Sequence, residues 1–346
     1  MNVHILDPLL DSRWDDFAVR HPSASAFHQR GWLEALGRTY GYTPLVLTTA
    51  RDGEPLEDGV VLCRVSSWLT GTRLVSLPFA DHCEPLLNPV GECLQFAKWL
   101  RTECDSQKWK YIELRPLSPL QDGEDVLQPS HSYFFHELDI RENLDRIFRK
   151  FHKDSIQRKI RRAEKEGLSY EAGCSDQLLD EFYRLVLVTR RRHRLLPQPQ
   201  AWFRNLVECI GDNIQIRIAR KAGVPISAML TLRHGSSAIY KYGCSDERFH
   251  PLGGMPFLFW RFIEESKAAG VEKIDFGRSD LENEGLVAFK DKFGASKRLL
   301  TYYRYPYSGQ TAMTKTRGAE AARQLLFLLP DAVSAQAGRL LYRHMG

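Results

Sequence analysis

The sequence has no two cysteines spaced as CxxC, although it holds seven: Cys63, Cys83, Cys93, Cys104, Cys174, Cys209 and Cys244. An odd number without ligand spacing argues against a disulfide framework and against a zinc site. The simpler reading is free thiols in a reducing compartment. Long apolar runs are also missing. The most apolar short stretch, Leu325–Leu329, falls far below the roughly 18 residues that cross a bilayer. The opening residues, Met-Asn-Val-His-Ile-Leu-Asp, lack a basic segment followed by an apolar one. No signal peptide is read there, and a cytoplasmic protein with no transmembrane segment is expected. There is no Gly-x-Ser-x-Gly elbow, Walker loop, dinucleotide-binding glycine string or His-Glu-x-x-His. Hydrolase, nucleotide triphosphatase, dehydrogenase and zinc-protease readings therefore have no support. Neither a metal site nor a permanently bound cofactor is expected.

What remains is ordinary for a globular chain. Its 346 residues are 43% hydrophobic and 26% charged, enough to build a sizeable core in one large or two smaller domains. The net charge of +5 is too small to choose a partner by itself.

The order of elements repeats. From Pro44, PLVLTTA reads as a strand, GVVLCRVSSW as a second and GTRLVSLPF as a third. A helix over Glu92–Glu103 and a short strand, WKYIELRP, follow. From Ile214, IQIRIAR, ISAMLTLRHG and SSAIYKYG are again three strands, followed by a helix over Met255–Ala269 and the strand VEKIDFG. Two similar mixed α/β domains are expected, residues 1–140 and 141–305, with a helical tail over 306–346. Between the copies, SYFFHELDI reads as a strand. The stretch Glu142–Glu166 reads as helix, with Asp154 or Ser155 able to cap its second part and Gly167 ending it.

The charge is concentrated in two places. Arg146–Lys165 carries nine lysines and arginines against Asp154, Glu164 and the adjoining Glu166. It reads either as a patch for phosphates or as a solvated helix face. The second cluster is Arg190-Arg191-Arg192-His193-Arg194. Four arginines that close together point in different directions on a helix, so one facing inward is expected to need an anionic partner.

The segment from Tyr242 to Tyr302, with its YGCSD strand end, DFGRSD and EGLVAFKDKFGA, resembles the second domain of the FemAB/FemX peptidyltransferases and their GNAT-like acyltransferase relatives. Upstream, DSIQRKIRRAEKEGL is similar to that family's basic helix. SAFHQRGWLEALGRTYGYTPLVL, LVSLPFADHCEPLL and YIELRP are similar to its first half. RRRHRLLPQPQAWFRNL is nearest to the branch associated with exopolysaccharide and protein-sorting systems. The resemblance implies two tandem GNAT-like domains, each a mainly antiparallel sheet flanked by helices. It also implies acyl or aminoacyl transfer from acyl-CoA or aminoacyl-tRNA onto an amine of a cell-envelope or exopolysaccharide precursor. The implied partners are a phosphate-bearing small molecule or lipid-linked substrate, with tRNA and a peripheral membrane contact as further candidates. The sequence departs from the family where CoA-using relatives carry an Arg/Gln-x-x-Gly-x-Gly/Ala phosphate loop. Arg248-Phe-His-Pro-Leu-Gly253-Gly254-Met255 stands there, with two glycines before the helix at a different spacing. It also shows no inserted coiled-coil arm.

Acyl transfer to an amine needs a proton acceptor, stabilisation of the oxyanion and neutralisation of the donor's phosphates. By the resemblance, Lys290 of the FK motif takes the oxyanion or a phosphate, with Lys292 competing for the role. Tyr242, at the end of a central strand, would orient the acceptor. Asp275, at a strand's C-terminal end, would accept a proton or brace the next turn. Arg192 and His193 are assigned to phosphate or carboxylate binding, His193 having the chemistry of a base as well. Gly253 and Gly254 would serve the donor loop. Arg278 and Ser279 are loop contacts, and His82 is a candidate for an acceptor pocket in the first domain. Each has a plainer reading as a core or surface residue. The rival for the whole chain is a binding module without chemistry that holds nucleic acid or a glycolipid phosphate on the basic helix.

Overall fold

The computed structural model describes residues 3–87, 92–120, 125–306 and 331–344. Leu325–Leu329 and much of the expected tail lie outside them. The described part of that tail is a helix, Asp331–Tyr342.

The chain divides into two compact units. The first comprises Met1–Tyr133 with Leu299–Leu325 and Gln336–Gly346; the second comprises Phe134–Arg298 with Leu326–Ala335. Leu299–Tyr305, at the end of the segment assigned from sequence to the second domain, thus belongs to the first unit.

In the first unit, β1 (His4–Leu6) is followed by helices α1 (Ser12–Arg20) and α2 (Arg30–Tyr40). The meander β2 (Thr43–Thr48), β3 (Val60–Val65) and β4 (Arg73–Val75) comes next, then α3 (Glu92–Ser106) and β5 (Ile112–Leu114). Strands β1 to β4 pair antiparallel in succession, and β5 joins β4 in parallel. The last strand, β12 (Ser296–Tyr305), closes the set by pairing antiparallel with β5 through Tyr303 and Leu114. Leu47, Leu62, Leu74, Phe96, Leu100 and Tyr303 form its core.

The second unit runs through the same order. After β6 (Gln128–Asp139) and two short helices, β7 (Ser169–Gly173) is followed by a helix pair, Asp176–Arg192 and Gln200–Ile210. The meander β8 (Ile214–Lys221), β9 (Val224–His234), β10 (Ser237–Ser245), a helix at Gly254–Ala268 and β11 (Lys273–Asp280) complete it. Strands β7 to β10 are antiparallel and β11 is parallel to β10. The repeat is therefore longer than the sequence showed, since each copy also has a strand and two helices ahead of its meander. The mixed α/β class and the mainly antiparallel sheets agree with expectation.

The basic stretch Glu142–Glu166 is helical in two parts, as read, but a π turn joins them and the cap differs. Leu144–Lys150 (α4) is capped by Asn143, whose Oδ1 accepts from the Arg146 amide. The helix stops at Phe151. A π turn over Lys153–Gln157 then leads into α5 (Arg158–Lys165). His152, rather than Asp154 or Ser155, caps the π turn by accepting from the Ser155 amide. Buried Gln157 donates to the Phe151 carbonyl at 2.7 Å, which satisfies the group freed by the break. Gly167, at φ 67°, terminates the stretch.

Among the described residues no helix is long and apolar enough to cross a membrane. No group of three or more His, Cys, Asp or Glu is placed to hold a metal. All seven cysteines are free thiols.

Candidate active site

Strands β10 and β11 pair only over three residues, Ser237–Ile239 with Lys273–Asp275. Beyond that they part. Crevices outside the carboxyl ends of parallel strands are where open α/β sheets take ligands. At this end of β10 the second unit holds a cavity of about 480 Å³.

Three elements bring cations to it. Lys159 comes from α5, Arg192 from α6 (Asp176–Arg192), and Lys292 from the end of α9 (Glu284–Asp291). Lys292 is seated by its backbone: the His152 amide, at the break before the π turn, donates to its carbonyl at 2.8 Å. A fourth element, the helix Gly254–Ala268 (α8), opens at the cavity. It has no side-chain cap at its N-terminus, and Gly254, Met255 and Pro256 line the cavity wall. The amides of Gly254 and Met255 at this helix start carry partial positive charge and add to the cations; Pro256 has no N–H to contribute. Both glycines are required by contact. Gly253 sits at φ 79°, and a Cβ there would collide with the Lys159 carbonyl. At Gly254 a Cβ would lie 2.5 Å from Ser227 Oγ. The pair lets α5, β9 and the start of α8 close around one space.

A polar cluster faces the same space. Thr189 Oγ1 accepts from the Ser245 amide at 2.8 Å and donates to the Ser245 carbonyl at 3.1 Å, fixing the end of β10 against α6. Arg192 Nη1 donates to that carbonyl at 3.0 Å and lies 3.4 Å from His250 Nε2. Ser245 Oγ is 2.9 Å from the same Nε2. A guanidinium can only donate, so Nε2 is the acceptor and the Ser245 hydroxyl donates to it. Burial, then the charge of Arg192, holds the His250 imidazole below its ordinary pKa. Burial followed by Arg192 and Arg190 does the same to His193, whose Nε2 is 3.3 Å from Arg192 Nη2. Both rings are neutral at neutral pH.

The residues expected from sequence fall into two groups. Arg192, His193, Gly254 and Lys292 line this cavity, with Gly253 at its edge. Arg192, half-buried, meets a backbone carbonyl and two imidazoles where an anionic partner was expected. Lys290, Asp275, Arg278 and Tyr242 are not among the cavity's lining residues. Lys290 is buried, and its Nζ donates to the carbonyls of Gly277 and Arg278, each at 2.9 Å. Asp275 accepts from the Gly277 amide at 2.5 Å. Both therefore grip the bend in β11, where Gly277 has φ 71°. The Ser279 hydroxyl is buried at the same strand end. Tyr242 receives the Trp202 indole N–H at 2.9 Å and packs on Phe203, both in α7 (Gln200–Ile210). His82 belongs to the first unit, buried with its ring edge-on to Phe27.

Residues 149–290 match the acetyltransferase (GNAT) domain family. The second unit carries a GNAT domain. Its likeness extends to the whole chain in fold. The structure of FemX superposes with a TM-score of 0.66 at 16% identity, covering 94% of this chain and all of that one. The C-terminal domain of a putative lysylphosphatidylglycerol synthetase from Agrobacterium fabrum gives 0.59 at 16% identity, covering 92% and 95%. A tandem GNAT protein from the clavulanic acid biosynthesis pathway gives 0.55 at 13% identity, covering 89% and 100%. No curated protein matches the sequence. The chain thus has the FemX-like, tandem GNAT fold.

Sequence reasoning missed Ser245, His250 and Thr189 in the GNAT domain, and held Lys159 only as one of nine cations in the basic stretch. A signal for His250 was present: a histidine in the loop between the YGCSD strand end and the glycine pair. For Thr189 there was none, because a threonine inside a helix shows its partner only once the helix is packed.

Proposed function

We propose that the chain is an acyl or aminoacyl transferase whose donor, an acyl-CoA or an aminoacyl-tRNA, sets its phosphates against the α8 N-terminus, Lys159, Lys292 and Arg192. The acceptor is an amine of a cell-envelope or exopolysaccharide precursor. The observation that carries this reading is the convergence of three cations and an uncapped helix N-terminus beside a neutral imidazole. Anion binding and proton removal are the two things acyl transfer to an amine requires of a site.

In this scheme the amine attacks the donor's acyl carbon and forms the C–N bond. Its proton passes to the Ser245 oxygen as the Ser245 proton moves to His250 Nε2. Collapse of the tetrahedral intermediate breaks the C–S or C–O bond. The leaving thiolate or alkoxide takes the proton back along the same path. Lys290 and Asp275 act as positioning residues, holding the bend of β11.

The test is mass-spectrometric detection of transfer from acyl-CoAs and charged tRNAs to amine acceptors, paired with donor binding. His250→Gln is expected to lose turnover while keeping donor affinity. Lys159→Glu with Lys292→Glu is expected to lose donor affinity. Full turnover in His250→Gln would overturn the assignment.

A further inference from the structure

The turn between β3 and β4 of the first unit presents two large apolar side chains to solvent: Trp68 is 88% exposed and Leu69 55%. The turn is built, not loose. Ser67 Oγ accepts from the amides of Leu69 at 3.2 Å and Thr70 at 2.9 Å. With both acceptances made, its hydroxyl proton is directed to His344 Nδ1, 2.8 Å away. The Gly71 amide closes the turn on the Ser67 carbonyl at 2.8 Å. Thr70 Oγ1 and Arg73 Nη2 both donate to the His344 carbonyl, and the Trp68 ring meets the His344 ring edge-on at 5.8 Å. The end of the helix Asp331–Tyr342 (α10) is thereby tied to the turn. Leu340, 61% exposed, lies in the last turn of that helix.

The charged residues in the stretches that meet at this turn are basic. Lys110 is backed onto the turn: its amide donates to the Thr72 carbonyl at 2.8 Å, and its stem lies over Gly71. Lys108, two residues earlier, is exposed, as are Arg339 and Arg343 on either side of Leu340. No carboxylate occurs in residues 64–73, 106–111 or 332–344.

We infer that this end of the first unit docks on an anionic lipid bilayer, with Trp68 and Leu69 entering the interface and Lys110, Arg339 and Arg343 meeting lipid phosphates. Tryptophan suits that boundary because its ring is apolar and its N–H is not. An exposed pair of apolar side chains on a hydrogen-bonded turn, with Lys110 against it and basic residues on the strands and helix that meet there, has the chemistry of a surface anchor. The inference is independent of any reaction in the second unit.

The experiment is co-sedimentation of the full chain with phosphatidylcholine vesicles, with and without phosphatidylglycerol. The wild type is expected to pellet with the anionic vesicles and to release as salt is raised. Lys110→Gln with Arg343→Gln should weaken binding about 30-fold, at about fivefold per cation. Trp68→Ser with Leu69→Ser should remove the salt-resistant part. Quenching of tryptophan emission by brominated lipid should fall in Trp68→Phe, a variant that keeps the turn's hydrogen bonds. The inference fails if the Trp68→Ser, Leu69→Ser protein pellets like the wild type. It fails equally if the wild type ignores anionic vesicles, whether or not it self-associates through Trp68 in ultracentrifugation.

Discussion

His250 and Lys290 stand for two ways in which a polar side chain serves a site. His250 has its protonated form disfavoured first by burial and then by the charge of Arg192. Its pKa is lowered, so its basic form persists to more acidic pH than that of a free imidazole. The acid limb of kcat/KM is therefore expected below 6.5, the ordinary imidazole value. Arg192→Gln should move that limb upward, and His250→Gln should cost about 100-fold or more in kcat. A pH–rate profile of the three proteins checks this.

Lys290 instead satisfies two carbonyls at a strand bend. Lys290→Met takes an ammonium donor from both and is expected to cost about 2–3 kcal/mol in denaturant unfolding. Stability should also depend on pH. His136, buried beside Asp291 and near Lys290, has its pKa lowered by burial first and then by Lys290, although Asp291 pulls the other way. With His193 and His250 lowered too, the unfolded chain binds more protons than the folded one as pH falls below 6.5. Stability is full above that value and is lost as pH drops through the folded pKa values. Melting temperature measured from neutral to mildly acidic pH should decline, and by less in His136→Phe.

Among the elements, α8 and its glycine pair matter most. Gly253→Ala puts a side chain at φ 79° and into the Lys159 carbonyl, so α5 must move. Donor affinity is expected to fall at least tenfold, visible by calorimetry, with a melting-temperature loss of several degrees. The meander, the helix and the parallel strand of each copy were readable because strand alternation and helical spacing are local. The glycine pair was legible only as a candidate donor loop before a helix; its close approaches to Lys159 and Ser227 belong to the packed structure. A second helical part was legible from its cap candidates, but the π turn and its His152 cap were not, since residues 142–166 keep a helical apolar spacing throughout. Only the packed structure shows Gln157 satisfying the interrupted backbone. Likewise FK looked like the chemical centre because a lysine in an ordered string of motifs suggests a substrate contact. Its ammonium is met by the carbonyls of Gly277 and Arg278, about a dozen residues earlier and on strand β11. Which atoms a long side chain reaches is a tertiary fact.

At the scale of the molecule, the repeat is of order, and each copy has put it to different use. The second unit places charge and an imidazole at the open end of its β10–β11 pair. The first closes its last strand with a buried ion cluster, Glu113 receiving Arg115 and Arg304. Tyr302 adds a hydrogen bond to the Asp81 carbonyl at 2.6 Å. A chain ending at Arg298 should therefore leave the first unit without Tyr302, Tyr303 and Arg304. Limited proteolysis of that truncation is expected to digest residues before Phe134 rapidly while protecting Phe134–Arg298.

The same closing strand has a consequence for how the protein is made. Domains generally fold as they leave the ribosome, amino-terminal first. Here the unit that begins the chain waits for residues 299–305, whereas every strand of the later unit has emerged by residue 298. Synthesis thus inverts the order of maturation: the second half is finished while the first still has an open sheet edge at β5. During translation, that edge is where a nascent-chain chaperone has most to protect.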